Sequence, residues 1–165
     1  MYCSQNETIS SEYISNIEIL FNSMLMNGNF VTGFSNSSSG TGEAVYGLFL
    51  CRGDVSSSTC SKCLFLATLT ICRKSKKAAT WFNDCMLRYS NESTFTKLDQ
   101  SVNPHVDGWI EVTNSTRFME VREDVVNRAA NSGPLKKSAV GEVNFTTTKV
   151  TVHGQCTPDI SAADC

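Results

Sequence analysis

The sequence predicts an α+β fold, with two helices packed on a mostly antiparallel β-sheet, stapled by disulfides and repeated in tandem with the second copy truncated. Three observations lead there. Apolar residues recur at spacings of three and four over positions 13–25, which marks a helix burying one face. A stretch rich in Val, Tyr, Leu and Phe at 43–51 and one carrying Trp81, Phe82, Met86 and Leu87 at 78–89 read as strands. Cysteines complete the pattern: eight residues separate Cys51 from Cys60, two separate Cys60 from Cys63, and Cys156 restarts the count to reach Cys165 at the last position.

The repeat holds without gaps at an offset of 105. Cys51 falls on Cys156, Cys60 on Cys165, Asp54 on Asp159, Gly28 on Gly133 and Glu18 on Glu123, while Tyr13, Leu20 and Val45 meet Phe118, Val125 and Val150. This register sets the organisation as a first module over residues 1–98, a linker over 99–114 containing Pro104 and Gly108, and a second module over 115–165, incomplete at its carboxyl end.

Each element has a local reason. Ser10 or Ser11 caps the first helix, and Asn27-Gly28 ends it, glycine tolerating the left-handed conformation that commonly closes a helix. Residues 30–34 read as a short strand, 35–42 as a polar loop and 43–51 as a core strand. The serines of 56–58 offer a cap for a second helix carrying Cys60, Cys63, Leu64, Ala67 and Ile71 on one stripe. Residues 78–89 form a returning strand, with 94–98 as a candidate last one. In the second copy, 118–130 repeats the first helix and 143–156 the strand that leads into the cysteine motif.

The composition narrows both compartment and partners. Eight cysteines in 165 residues are ordinary for a secreted domain that needs staples and high for a cytosolic one. Asn6, Asn36, Asn91, Asn114 and Asn144 each head a glycosylation sequon, in keeping with an extracellular or secreted location, in the apoplast or on the outer face of the plasma membrane. A net charge of −2 argues against nucleic acid as a partner. No run approaches the ~20 apolar residues of a membrane helix, so no membrane contact is expected of this chain. The amino end lacks a charged segment followed by an apolar one, and sequence is expected to be missing at both ends.

Three motifs could carry chemistry. Cys60-Ser61-Lys62-Cys63 places two sulfurs within one helical turn, as a redox dithiol or half a zinc site would. The other cysteines supply no second close pair and neither His105 nor His153 completes a ligand set, so structural disulfides are expected, with no metal and no cofactor. Arg52-Gly53-Asp54 spells an adhesion tripeptide, but only the aspartate recurs in the second copy, and its expected role is a hydrogen bond in the turn before the helix. Arg73, Lys74, Lys76 and Lys77 could hold an anionic group, yet they also stand where a helix ends and cations offset its dipole. No nucleophile, base and acid set is spaced for catalysis, so the chain is read as no enzyme.

Cys51-x8-Cys60-x2-Cys63, the preceding Tyr46-Gly47-Leu48 and the run from Cys85 through Arg88-Tyr89-Ser90 to Asn91 together resemble a plant cysteine-rich module. This is the ginkbilobin-2-homologous, or stress-antifungal, domain, and Gln155-Cys156-Thr157-Pro158-Asp159 is similar to the matching stretch of its second copy. The resemblance implies disulfides joining Cys3 to Cys72, Cys51 to Cys60, Cys63 to Cys85 and Cys156 to Cys165. In that family tandem modules form the extracellular parts of cysteine-rich receptor-like kinases, secretory cysteine-rich repeat proteins and plasmodesmata-located proteins, and single modules are antifungal mannose lectins. The family's mannose-binding asparagine, arginine and glutamate fall here on Ser4, Ala79 and Ser90. Loss of a charged donor fork and of a strong acceptor removes most polar anchors for the sugar.

The resulting expectation is an extracellular recognition or interaction module, the ectodomain fragment of a plant cysteine-rich receptor-like kinase in stress or defence signalling, with an unknown extracellular protein or glycan as its ligand. The alternative is a secreted cysteine-rich repeat protein with carbohydrate-binding or antifungal activity. A thiol oxidoreductase using Cys60 and Cys63 ranks below both.

Overall fold

The computed structural model describes residues 1–4, 8–93, 95–98, 115–133, 135–145 and 149–165. The expected linker at 99–114 and the sequon residues Asn6 and Asn114 lie outside them. By its contacts the chain divides into two compact units, Met1–Pro104 and His105–Cys165.

The first unit runs β1 (Tyr2–Cys3), α1 (Ser11–Asn27), β2 (Phe34–Ser39), β3 (Val45–Cys51), α2 (Ser57–Thr70), β4 (Lys77–Trp81) and β5 (Cys85–Ser90). Its strands form one sheet in the order β1-β4-β5-β3-β2, with every neighbouring pair antiparallel. α1 begins where Ser10 accepts a hydrogen bond from the Tyr13 amide at 3.0 Å, and α2 where Ser56 accepts from the Thr59 amide at 3.1 Å. Tyr13, Ile17, Leu20, Phe21 and Met24 on α1 and Cys60, Cys63, Leu64 and Ala67 on α2 meet Val45, Phe49, Leu87 and Tyr89 of the sheet in one buried cluster. Burying a side chain such as Leu20 or Phe49 contributes about 1.5–3 kcal/mol.

Four local expectations change. Residues 34–39, read as polar loop after a strand at 30–34, are strand β2, paired with β3 from Phe34↔Leu50 to Ser39↔Val45. β2 is an edge strand, where serines and asparagine are tolerated because β3 supplies the hydrogen bonds and alternate side chains face outward. The single strand expected over 78–89 is a hairpin of β4 and β5, closed by the Phe82 amide donating to the Cys85 carbonyl at 2.8 Å. Residues 95–98 are not strand; Thr94 lies outside the described residues, and Phe95 stands edge-on to Tyr46 with ring centroids 5.9 Å apart.

The fourth change concerns Gly28, which ends α1 in an extended conformation, φ −65°, not a left-handed one. Glycine is required there for closeness: a Cβ would stand 2.8 Å from Phe49 Cε1 and nearer still to the Met24 carbonyl oxygen. Gly47 on β3 makes a similar allowance, since a Cβ there would meet Leu20 Cδ2 at 2.7 Å. These two glycines let α1 settle onto the sheet.

The second unit holds α3 (Ser115–Asn131), β6 (Lys137–Asn144) and β7 (Lys149–Cys156). Shifted by 105, these elements repeat α1, β2 and β3. The run expected as one strand over 143–156 divides between the end of β6 and β7, paired from Asn144↔Lys149 to Lys137↔Cys156. Val125 takes the place of Leu20 and rests over two glycines, its methyls 2.5–2.8 Å from where Cβ atoms on Gly141 and Gly154 would be. Gly154 also occupies the register position of Phe49, so among the described residues nothing lies within 4 Å of a Cβ at Gly133, whose φ is +105°. Among the described residues β7 pairs only with β6, whereas β3 has β2 on one side and β5 on the other.

Candidate functional site

The cysteines form the frame of any site. β3 ends on Cys51, bonded to Cys60 in the first turns of α2 with 5.6 Å between Cα atoms. One helical turn on, Cys63 is bonded to Cys85 at the start of β5, Cα atoms 6.0 Å apart. Cys3 of β1 reaches Cys72 beyond α2, and Cys156 reaches Cys165. Cys60 and Cys63 are therefore committed to different partners, and no cysteine is free. Among the described residues no group of His, Cys, Asp and Glu is placed to hold a metal ion.

Two tyrosines hold the loop that carries Cys72. The single Tyr89 hydroxyl proton is shared between the Cys72 and Ser75 carbonyls, at 2.7 and 2.8 Å, and the Tyr13 hydroxyl donates to the Lys76 carbonyl at 2.6 Å. Burial pushes the Tyr89 phenol above its ordinary pKa, outweighing the nearby Arg73 charge.

The charged motifs resolve into local contacts. Arg52 Nε donates to Asp54 Oδ1 at 2.6 Å and Arg52 Nη1 to the Asn83 carbonyl at 2.8 Å, so the tripeptide's two charges face each other and brace the β4–β5 turn. Arg73 Nη2 donates to the Thr68 carbonyl at 2.8 Å in the last turn of α2, and its guanidinium lies 5.9 Å from the Phe21 ring centre. Lys77 pairs with Glu92 at 2.9 Å. The basic residues thus do not act as one patch, and only Lys74 among the four is exposed.

Ser4, Ala79 and Ser90 are gathered on the β1-β4-β5 side of the sheet. Ser4 Oγ accepts from the Lys77 amide at 3.1 Å, Ser90 lies opposite Lys77, and its Oγ accepts from the Glu92 amide at 3.0 Å. Ala79, 2% exposed, lies between Tyr2 and Arg88. Each hydroxyl oxygen accepts from one backbone amide. Of the sequons, Asn36 is exposed on β2, Asn144 is exposed at the end of β6, and Asn91 is half-buried just after β5.

Sequence reasoning missed two surface features. α2 is apolar outward as well as inward, with Phe65, Leu66 and Leu69 52, 51 and 60% exposed. A cleft of about 230 Å³ also opens beside the start of α1, lined by Thr8, Ser10, Glu43, Lys76 and Asn91. Asn91 gave a partial signal for it through its sequon; the other lining residues are scattered along the chain.

The sequence pattern of the salt stress response/antifungal family matches residues 2–92. The chain belongs to this family. Among members of the salt stress response/antifungal family, it is 34% identical to cysteine-rich repeat secretory protein 1 of Arabidopsis thaliana over 99% of its own length and 51% of that protein's. With cysteine-rich receptor-like protein kinase 26 of Arabidopsis thaliana it shares 34% identity over 97% of its length and 26% of the kinase's. The chain thus spans about half or less of these relatives. The tandem DUF26 ectodomain of the Arabidopsis thaliana cysteine-rich receptor-like protein PDLP8 overlays 99% of it, with a TM-score of 0.76, 27% identity and 79% of that ectodomain covered. The corresponding ectodomain of PDLP5 gives 0.73 at 25% identity, with 99% of this chain and 80% of that ectodomain covered. The family's relatives are secreted proteins or receptor ectodomains, and this chain is an extracellular, disulfide-stapled module of the same kind. No helix among the described residues is long and apolar enough to cross a membrane.

Proposed function

We propose that the chain is the ligand-facing part of a plant cysteine-rich receptor-like kinase acting in stress or pathogen responses, with binding as its only chemistry. The observation that carries this reading is architectural: 99% of the chain superposes on a tandem receptor-like ectodomain, while 97% of it accounts for only 26% of a receptor kinase. In this reading residues 1–98 and 115–165 are successive modules of one ectodomain. Sequencing the transcript that encodes the chain tests it. A membrane span followed by kinase motifs is expected, and a stop codon soon after the second module would overturn it.

That second outcome is what the alternative predicts, a secreted cysteine-rich repeat protein, which the 51% coverage of cysteine-rich repeat secretory protein 1 supports. In neither reading is the module an active mannose lectin, because Ser4 and Ser90 offer only neutral hydroxyls, each already accepting from one backbone amide, and Ala79 has no polar group. Calorimetric titration with mannose is expected to show no heat of binding. Binding that Ser4→Ala or Ser90→Ala abolishes would overturn this.

A further inference from the structure

We infer that Asn91 carries an N-linked glycan whose first N-acetylglucosamine lies in the cleft beside the start of α1. The inference depends on passage through the secretory pathway, not on which ligand the module reads. Asn91 heads the sequon Asn91-Glu92-Ser93 where the chain leaves β5, and Glu92 and Ser93 are exposed. The Asn91 amide donates to the Lys76 carbonyl at 3.1 Å, which fixes the backbone at the cleft wall. Its side-chain Oδ1 is buried and makes no hydrogen bond, an arrangement that native proteins seldom leave uncompensated.

The cleft suits one sugar ring. At about 230 Å³ it falls below the roughly 300–1,000 Å³ of sites for drug-sized ligands. Its wall is built largely from polar residues, Thr8, Ser10, Glu43 and Lys76, of types that hydrogen-bond sugar hydroxyls and the acetamide. Ile9, packed against the core, gives the acetyl methyl an apolar surface. Glu43 already accepts from Ser10 Oγ at the positive end of α1, so a further anion is disfavoured and a neutral sugar is not.

The attachment balances simply. Asn91 Nδ2 forms a bond to the anomeric carbon of N-acetylglucosamine, and that carbon's bond to the diphosphate of a lipid-linked oligosaccharide donor breaks. Lipid diphosphate leaves, and one amide proton passes to base. Asn36, exposed on β2, offers the contrast of a sequon whose side chain points to solvent.

The test uses the full chain secreted from a eukaryotic host and, separately, the chain folded in an oxidising bacterial compartment. Glycopeptide mass spectrometry is expected to find Asn91 occupied. Ser93→Ala should lower Tm by about 4 °C or more in eukaryotic material, leave it unchanged in bacterial material, and be rescued by Ser93→Thr, which restores the sequon. Trimming every glycan to its first sugar should leave Tm unchanged, and nuclear Overhauser contacts should connect the acetyl methyl on Asn91 with Ile9. An unmodified Asn91, a Tm indifferent to Ser93→Ala in both hosts, or an attached sugar without contact to Ile9 would each overturn the inference.

Discussion

Gly28 and Phe49 approach so closely that a Cβ on the glycine would stand 2.8 Å from Phe49 Cε1. Gly28→Ala should therefore force the ring or the end of α1 aside and cost about 1–3 kcal/mol. Its repeat partner Gly133 faces open space but has a φ of +105°, so Gly133→Ala should also destabilise, by about 1–3 kcal/mol of backbone strain. Asparagine tells the two causes apart, because it tolerates left-handed backbone better than alanine but is bulkier. In denaturant melts, Gly133→Asn should be milder than Gly133→Ala, and Gly28→Asn worse than Gly28→Ala.

The four disulfides close loops that range from 9 residues, twice, to 69. Cys3–Cys72 spans 69 residues and Cys51–Cys60 spans 9, for which chain entropy gives about 4.4 and 2.7 kcal/mol. Cys72→Ser should lower Tm more than Cys60→Ser. Equal losses in calorimetry would refute that order.

Tyr89 should resist ionisation. Burial raises its folded pKa above the ordinary value of about 10, so the folded chain keeps a proton that the unfolded chain releases. Its contribution to stability is whole below about pH 10 and is lost as pH climbs beyond that toward the folded pKa. Tyrosinate absorbance should show one residue titrating only as the protein unfolds in alkali. Tyr89→Phe should remove that late step and cost about 1–3 kcal/mol at neutral pH, since the Cys72 and Ser75 carbonyls lose their donor.

The two faces of α2 should answer differently to truncation. Leu64, fully buried, should cost about 2–5 kcal/mol when changed to Ala. Phe65→Ser, on the neighbouring exposed position, should stay within about 0.5 kcal/mol in the same denaturant assay.

The helices and the core strand could be read from the chain because α1, β3 and the inward side of α2 carry strong periodic patterns. β2 could not, since a serine-rich edge strand lacks apolar alternation and takes its structure from β3. The β4–β5 turn was missed although Asn83-Asp84 is turn chemistry, because Trp81 and Phe82 kept the run looking continuous. Gly28 was assigned the usual conformational role, while its real constraint, the Phe49 ring, is 21 positions away in sequence and visible only in space. The same holds for the cleft, whose walls come from four separate segments.

β1 consists of two residues, and among the described residues its one partner in the sheet is β4. During synthesis at about 5–20 residues per second, Cys3 emerges on the order of 3–14 s before Cys72. Cys51, Cys60 and Cys63 all arrive in between. The Cys3 thiol thus meets three wrong partners before Cys72 arrives, and fastening β1 correctly becomes a problem of thiol exchange in the oxidising lumen.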